Sequence, residues 1–254
     1  MSTRRVLPAS RDHIRVVPLH LPKELRAAHA APPHLDDNGG PLLPNVEVFT
    51  VFWGNAWKAA QQAVVGQVNT FFDSILTSPL IDQLAEYGRS GTPIGHGRRT
   101  GTITITTPPL GHSVSDNAIQ HMLQQEIATN AAFPQPGQNT LYFVYIQPGV
   151  SVIAGGSRSC QSFCGYHDAI HNQIFYAVMP YPGCTGCTGN LATFDALTST
   201  SSHELCEAIT DPVPGAGWYD QNNGEIGDIC AWETKKVGDY TVQLEWSNTA
   251  GQCI

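Results

Sequence analysis

VEVFTVFW, residues 46–53, is apolar at every position except Glu47 and Thr50. A strand with one wet face alternates apolar and polar residues. This one does not, so it reads as a central strand covered on both faces. The chain that follows supplies a cover. From Ala56 to Leu76, the residues Ala60, Val64, Val68, Phe71, Phe72 and Ile75 recur at spacings of three and four. That spacing predicts a helix with one apolar face.

Working outward, strands and helices keep alternating. Pro79 opens a short helix that Gly88 stops. GTITITTPP, 101–109, alternates and reads as a strand. Ser115 is placed to cap a helix running to Asn130. LYFVYIQPGVSVIA, 141–154, gives one or two strands divided at Pro148-Gly149, and NQIFYAVMPY, 172–181, gives another. A helix is predicted from Leu191 to Thr210, then a turn-rich stretch, then a hairpin ending YTVQLEW. This order predicts one α/β or α+β domain over 45–254, a mixed twisted sheet with helices packed on it. Residues 1–44, rich in Pro, His and Ala, read as an extended arm with a short helical stretch near Lys23–His29 and no core-building periodicity.

Charged residues make up 13% of the 254, against roughly 25% in an average globular chain. The net charge is −8, and the basic doublets Arg4-Arg5, Arg98-Arg99 and Lys235-Lys236 form no stripe. Nucleic acid and anionic membrane surfaces are therefore excluded as expected partners. No apolar run approaches the roughly 18 residues that span a bilayer. All seven cysteines lie between Cys160 and Cys253. With so few lysines, they point to an oxidising compartment, extracellular or periplasmic. The opening MSTRRVLPASRDHIRVV shows no apolar signal-peptide region.

The candidate chemistry lies in SSHELCEAITDP, 201–212. On a helix, His203 and Glu207 share a face one turn apart, and both are ordinary zinc ligands. Glu204 sits about 100° round the helix, where H-E-x-x-H enzymes place their general base. Asp211 lies about 12 Å along the axis from His203 and precedes Pro212, so it reads as the helix end. A third ligand is expected from elsewhere: Asp220 or His167 first, with Glu225 and Asp228 as further candidates. Tyr219 or Tyr166 is placed to stabilise an oxyanion. Asp220, Asn222, Glu225 and Asp228 also offer hard oxygens that suit calcium in the 220–228 loop, although turn chemistry alone accounts for Asn222-Asn223-Gly224. The small polar run TSTSS before His203 suggests a helix face open to a cleft. A solvated polar helix face remains the plain alternative.

Cys160 and Cys164 form C-x-x-x-C, and Cys184 and Cys187 form C-x-x-C. They suit either two disulfides or a four-cysteine zinc site, with disulfides favoured by the composition. Cys230 and Cys253 are placed to staple the C-terminal segment, and Cys206 reads as a buried free thiol. His171 and the arm histidines His13, His20, His29 and His34 carry no motif.

Several stretches together resemble the exordium family, the phosphate-induced proteins known from plants and with bacterial relatives. They are GGPLLPNVEVFTVFWG (39–54), FFDSILTSPL (71–80), C-x-x-x-C-G-Y-H (160–167), FYAVMPY before CTGC (175–187), and AITDPVPGAGWYD (208–220). The resemblance spans roughly 39–230. It implies secretion, disulfides and a single α/β or α+β domain. Plant members look like cell-wall-associated proteins without an established enzymatic role, and in them the region matching 203–211 generally lacks the His-Glu pair. This chain is similar to a bacterial-type member with a zincin-like helix. The leading expectation is a secreted zinc hydrolase, a metallopeptidase acting on a peptide or protein. The rival is a non-catalytic extracellular protein that binds a cell-wall component, and a third reading keeps the metal as a structural element.

Overall fold

A computed structural model describes residues 15–20 and 32–254. The helical stretch expected near Lys23–His29, and His13 with it, lie outside the described residues. The centre is a six-stranded mixed sheet. Its strands are β1 (Arg15–Pro18), β2 (Glu47–Trp53), β3 (Arg98–Ile105), β4 (Thr140–Ile146), β5 (Phe163–Ile170) and β6 (Ile174–Pro180). Their order across the sheet is β1-β5-β6-β4-β2-β3. β3, β2, β4 and β6 run parallel; β5 runs antiparallel to β6, and β1 antiparallel to β5.

The opening octapeptide is central, between β4 and β3, as its unbroken apolar character requires. Three long helices cover the sheet: α1 (Gln62–Ile75), α2 (Asp116–Thr129) and α3 (Thr193–Thr210). Strand alternation divides the core. Val48, Phe52, Phe143, Tyr145 and Met179 pack with α1 and α3, whereas Phe49, Val51, Tyr142, Val144 and Val178 pack with α2. Each such side chain contributes roughly 1.5–3 kcal/mol by leaving water. The helix expected over Ala56–Leu76 is divided: Asn55–Lys58 is a 3-10 turn, and the α-helix starts at Gln62. Ser115 caps α2 as expected, its hydroxyl accepting from the Ala118 amide at 3.2 Å.

The N-terminal stretch is extended where described, yet it does build core. Residues 15–18 supply the outermost strand, and Leu35, Leu42 and Leu43 are fully buried with α3 and the α1 cluster. Their apolar residues are too sparse to show a period, which is why the sequence alone hid them. After α3, a loop over 211–232 leads to a hairpin, β7 (Thr234–Val237) and β8 (Tyr240–Gln243). β8 packs against α3, so that helix is enclosed between the sheet, the hairpin and the loop.

Disulfides join Cys160 to Cys184, Cys164 to Cys187 and Cys230 to Cys253. These pairings replace the four-cysteine zinc alternative. Cys206 is buried and free. Three disulfides fit an oxidising, extracellular-type environment. Among the described residues, no helix is long and apolar enough to cross a membrane.

Candidate metal centre

α3 is buried on every side from Ala196 onward. Its polar residues therefore need partners inside the protein. Three of the early hydroxyls find them, while Ser199 Oγ has none. Thr198 donates to the Thr241 carbonyl at 2.7 Å, Ser202 donates to Ser199 and accepts the Gln243 amide at 2.9 Å, and Ser201 pairs with the Tyr145 hydroxyl at 2.8 Å. The expectation that TSTSS borders an open cleft is thus corrected. Small hydroxyl residues let the sheet and hairpin approach the helix closely.

One turn later, the satisfaction stops. His203, Glu204 and Glu207 are all fully buried. His203 Nε2 lies 2.9 Å from Glu207 Oε1, as i,i+4 geometry predicts, but off the direction of a hydrogen bond. Glu207 Oε1 also accepts the Asp228 amide at 3.1 Å. From the sheet, strand alternation turns Tyr166 toward α2 and His167 toward α3. His167 Nδ1 meets Glu204 Oε2 at 3.0 Å and lies 3.4 Å from Glu207 Oε2. Its Nε2 lies 3.1 Å from the Asp211 carbonyl oxygen and 3.4 Å from Glu225 Oε1.

Two glycines permit this crowding. A Cβ on Gly227 would stand 2.8 Å from His203 Nδ1 and 3.0 Å from Glu207 Oε1. A Cβ on Gly165 would stand 3.3 Å from Glu204 Oε1 and closer still to Thr200 and Met179. Backbone thus touches the cluster from the loop and from β5.

The cluster is strongly acidic. Glu204, Glu207, Asp211, Glu225 and the half-buried Asp228 surround two imidazoles, and buried Glu245 stands behind them. The Arg and Lys ion pairs of the described residues, Arg89–Asp37, Arg98–Glu47, Arg99–Asp73 and Lys236–Asp195, lie elsewhere. Without a cation, burial raises Glu204 and Glu225, and burial with the Glu207 charge pushes Asp228 up to about 7. Burial works against charging the two histidines, but the surrounding carboxylates outweigh it and raise both well above the usual range. Those histidines hold Glu207 down at about 2 despite its burial.

Eight ligand-type atoms remain without hydrogen-bond partners: both nitrogens of His203, Glu204 Oε1, Glu207 Oε2 and both oxygens of Glu225 and of Glu245. Orphaned buried carboxylates and imidazoles cost several kcal/mol unless something pairs with them. His167, Glu207 and Glu225 form one set with ligand atoms mutually within 4.8 Å, and His203, Glu204 and Glu207 form another. Imidazole nitrogens and carboxylate oxygens are the donor set of zinc and its neighbours among transition metals, so the residues fit such an ion.

The sequence candidates divide accordingly. His203, Glu204, Glu207 and His167 come together. Asp220 does not join them, because its oxygens accept the amides of His34 (2.8 Å), Asn222 (2.8 Å) and Asn223 (3.1 Å) and the Asn223 side chain (2.8 Å). Tyr219 stands just before it, buried in a two-residue strand paired with Asp36–Asp37. Tyr166 is on the wrong face for an oxyanion and donates to Asp116 at 2.6 Å. The oxygens proposed for calcium diverge: Asp220 closes its own turn, Asp228 Oδ2 accepts the Glu225 amide at 3.1 Å, and Glu225 faces His167. Asp211 ends the helix as expected, its carboxylate collecting the amides of Gly215 (2.6 Å), Ala216 (3.1 Å) and Gly217 (2.5 Å). Glu245 carried no sequence signal; it follows a strand and belongs to no motif.

No protein-family model and no curated protein matches this chain. Among solved structures, one described as the structure of a chaperone–substrate complex is similar at 16% identity and a TM-score of 0.31. That match covers 63% of this chain, which spans 23% of the other.

Proposed function

We propose that the protein is an exported zinc-dependent hydrolase cleaving peptide bonds, built on an H-E-x-x-E helix. The observation that carries this reading is the burial of His203, Glu204 and Glu207 beside His167 with ligand atoms left unpaired. His203 Nε2 and Glu207 Oε1 would hold the ion. Zinc bound there supplies polarisation of the scissile carbonyl and acidification of water.

Glu204 is the proton carrier. His167 Nδ1 fixes its Oε2 at 3.0 Å, which leaves Oε1 unpaired and oriented. Burial raises its carboxyl, as suits a base that must accept a proton and return it to the leaving amine. The three disulfides support export, as does the resemblance to exordium proteins.

The test is elemental analysis of native protein together with a peptide-hydrolysis assay. Zinc should be present, chelator should stop hydrolysis, and Glu204→Gln should lose about 100-fold or more in rate while keeping its metal. Metal-free native protein, or an unchanged Glu204→Gln rate, overturns the reading.

The zero exposure of His203, Glu204, Glu207 and Glu225 favours a second reading, a structural ion. Structural zinc sites are closed, whereas catalytic ones keep an open position. That reading expects chelation to lower the melting temperature with no hydrolysis at any stage.

A further inference from the structure

Glu207 belongs to both ligand sets, and its two oxygens face opposite ways. Oε1 is 2.9 Å from His203 Nε2, and Oε2, which has no hydrogen-bond partner, is 3.4 Å from His167 Nδ1. The histidines do not fall in one set: His203 groups with Glu204 and Glu207, His167 with Glu207 and Glu225. Bonds of about 2.0–2.2 Å in tetrahedral geometry place ligand atoms roughly 3.3–3.6 Å apart. The His167 Nε2–Glu225 Oε1 separation of 3.4 Å meets that spacing.

We infer that the cluster holds two divalent metal ions bridged by the Glu207 carboxylate. This rests on the reading above, in which Glu207 Oε1 and His203 hold the first ion. The second ion lies among His167, Glu225 and Glu207 Oε2. A proton on His167 Nδ1, donated to Glu204 Oε2, orients the ring and frees the Nε2 lone pair for this ion. Carboxylate partners orient ligating histidines in the same way in known metal sites. The Asp211 carbonyl, 3.1 Å from Nε2, stands at the same pole as a further oxygen donor.

Three observations converge on the second ion. Both Glu225 oxygens are fully buried and unpartnered, although the residue sits beside an imidazole. An ion held by His203 Nε2 and Glu207 Oε1 alone leaves Glu207 Oε2 unpartnered on the His167 side. One divalent charge also leaves most of the five carboxylates uncompensated, and buried charge persists only where it is paired or on a metal. Paired ions in known two-metal sites stand about 3.5–4 Å apart, a span that one carboxylate bridges.

The experiment is zinc stoichiometry of the full chain by elemental analysis after equilibration with zinc and removal of excess. Two ions per chain are expected, one in Glu225→Gln, one in His203→Asn, and none in Glu207→Ala. A cobalt titration of the unaltered protein gives a second readout independent of variant folding. It should saturate in two steps and end in a magnetically coupled pair. One ion per chain, retained in Glu225→Gln and lost in His203→Asn, overturns the second site and leaves the hydrolase reading standing. One ion lost in Glu225→Gln but kept in His203→Asn overturns the pair and moves the single centre to His167. No bound metal overturns both.

Discussion

Both Asp220 oxygens are occupied by amides, and this makes the residue a turn-former that zinc does not need. Burial alone would raise its carboxyl, but hydrogen bonds from the Asn223 side chain and the His34, Asn222 and Asn223 amides hold it below the usual 3.8. A depressed carboxylate adds stability above its ordinary value and loses it as pH falls through the lower folded value. Asp220→Ala should therefore cost about 1–3 kcal/mol at neutral pH by stranding those donors. The gap to the unaltered protein should narrow below the ordinary carboxylate range, with metal content unchanged. Denaturant melts at several pH values check this, and loss of metal would return Asp220 to the ligand list. The sequence puts Asp220 ahead of Glu225 as a ligand, although two carboxylates in one Gly-containing loop carry no local signal that separates them, and it is Glu225 that reaches His167. His203, Glu204 and Glu207 were legible because helix periodicity is local. The choice between the two loop carboxylates depends on a turn closed partly by His34, 186 residues away in sequence.

At the scale of elements, the centre is a three-way contact between α3, β5 and the turn that carries Gly227. The span of α3 could be read up to its stop before Pro212, but β5 could not, because FCGYHDAI carries Gly165, His167 and Asp168 and shows no apolar run, and neither segment shows how closely the two approach. That closeness is set by residues without side chains. Gly227 has φ −80°, an ordinary helical value, so its backbone tolerates alanine. The whole penalty of Gly227→Ala then falls on the 2.8 Å and 3.0 Å contacts with His203 and Glu207. These side chains are enclosed and must shift. Zinc affinity should fall about 10–100-fold, as when a ligand's supporting contacts are lost elsewhere. Competition against a chromophoric chelator measures this, and far-UV circular dichroism should be unchanged. An undiminished affinity would mean that the ion does not sit on the His203 side of Glu207.

For the whole molecule, the question is why a 254-residue chain with a large two-faced core carries so much buried acid between one sheet face and α3. Hydrophobic burial on both faces gives it ample means to fold, and three disulfides further restrict the unfolded chain. Cys164–Cys187 ties the strand bearing His167, and Cys160–Cys184 the turn before that strand, to the segment before α3, and the third disulfide fixes the turn after Asp228 to the C-terminus. The covalent frame thus surrounds the acidic cluster and holds it together against its own repulsion. An ion that binds only the folded state adds stability by mass action, about 2.7 kcal/mol at a free concentration a hundred times its dissociation constant. For a chain of this size, that corresponds to a melting shift of about 5–10 °C. Chelation with the disulfides intact should lower the melting temperature by that amount, and zinc should restore it where magnesium, which keeps its water, does not. A melting temperature indifferent to chelator would leave the cluster to be stabilised by protonation of Glu204, Glu225 and Asp228 alone. The protein would then lose stability as pH rises and those carboxyls ionise, the reverse of what a metal centre requires.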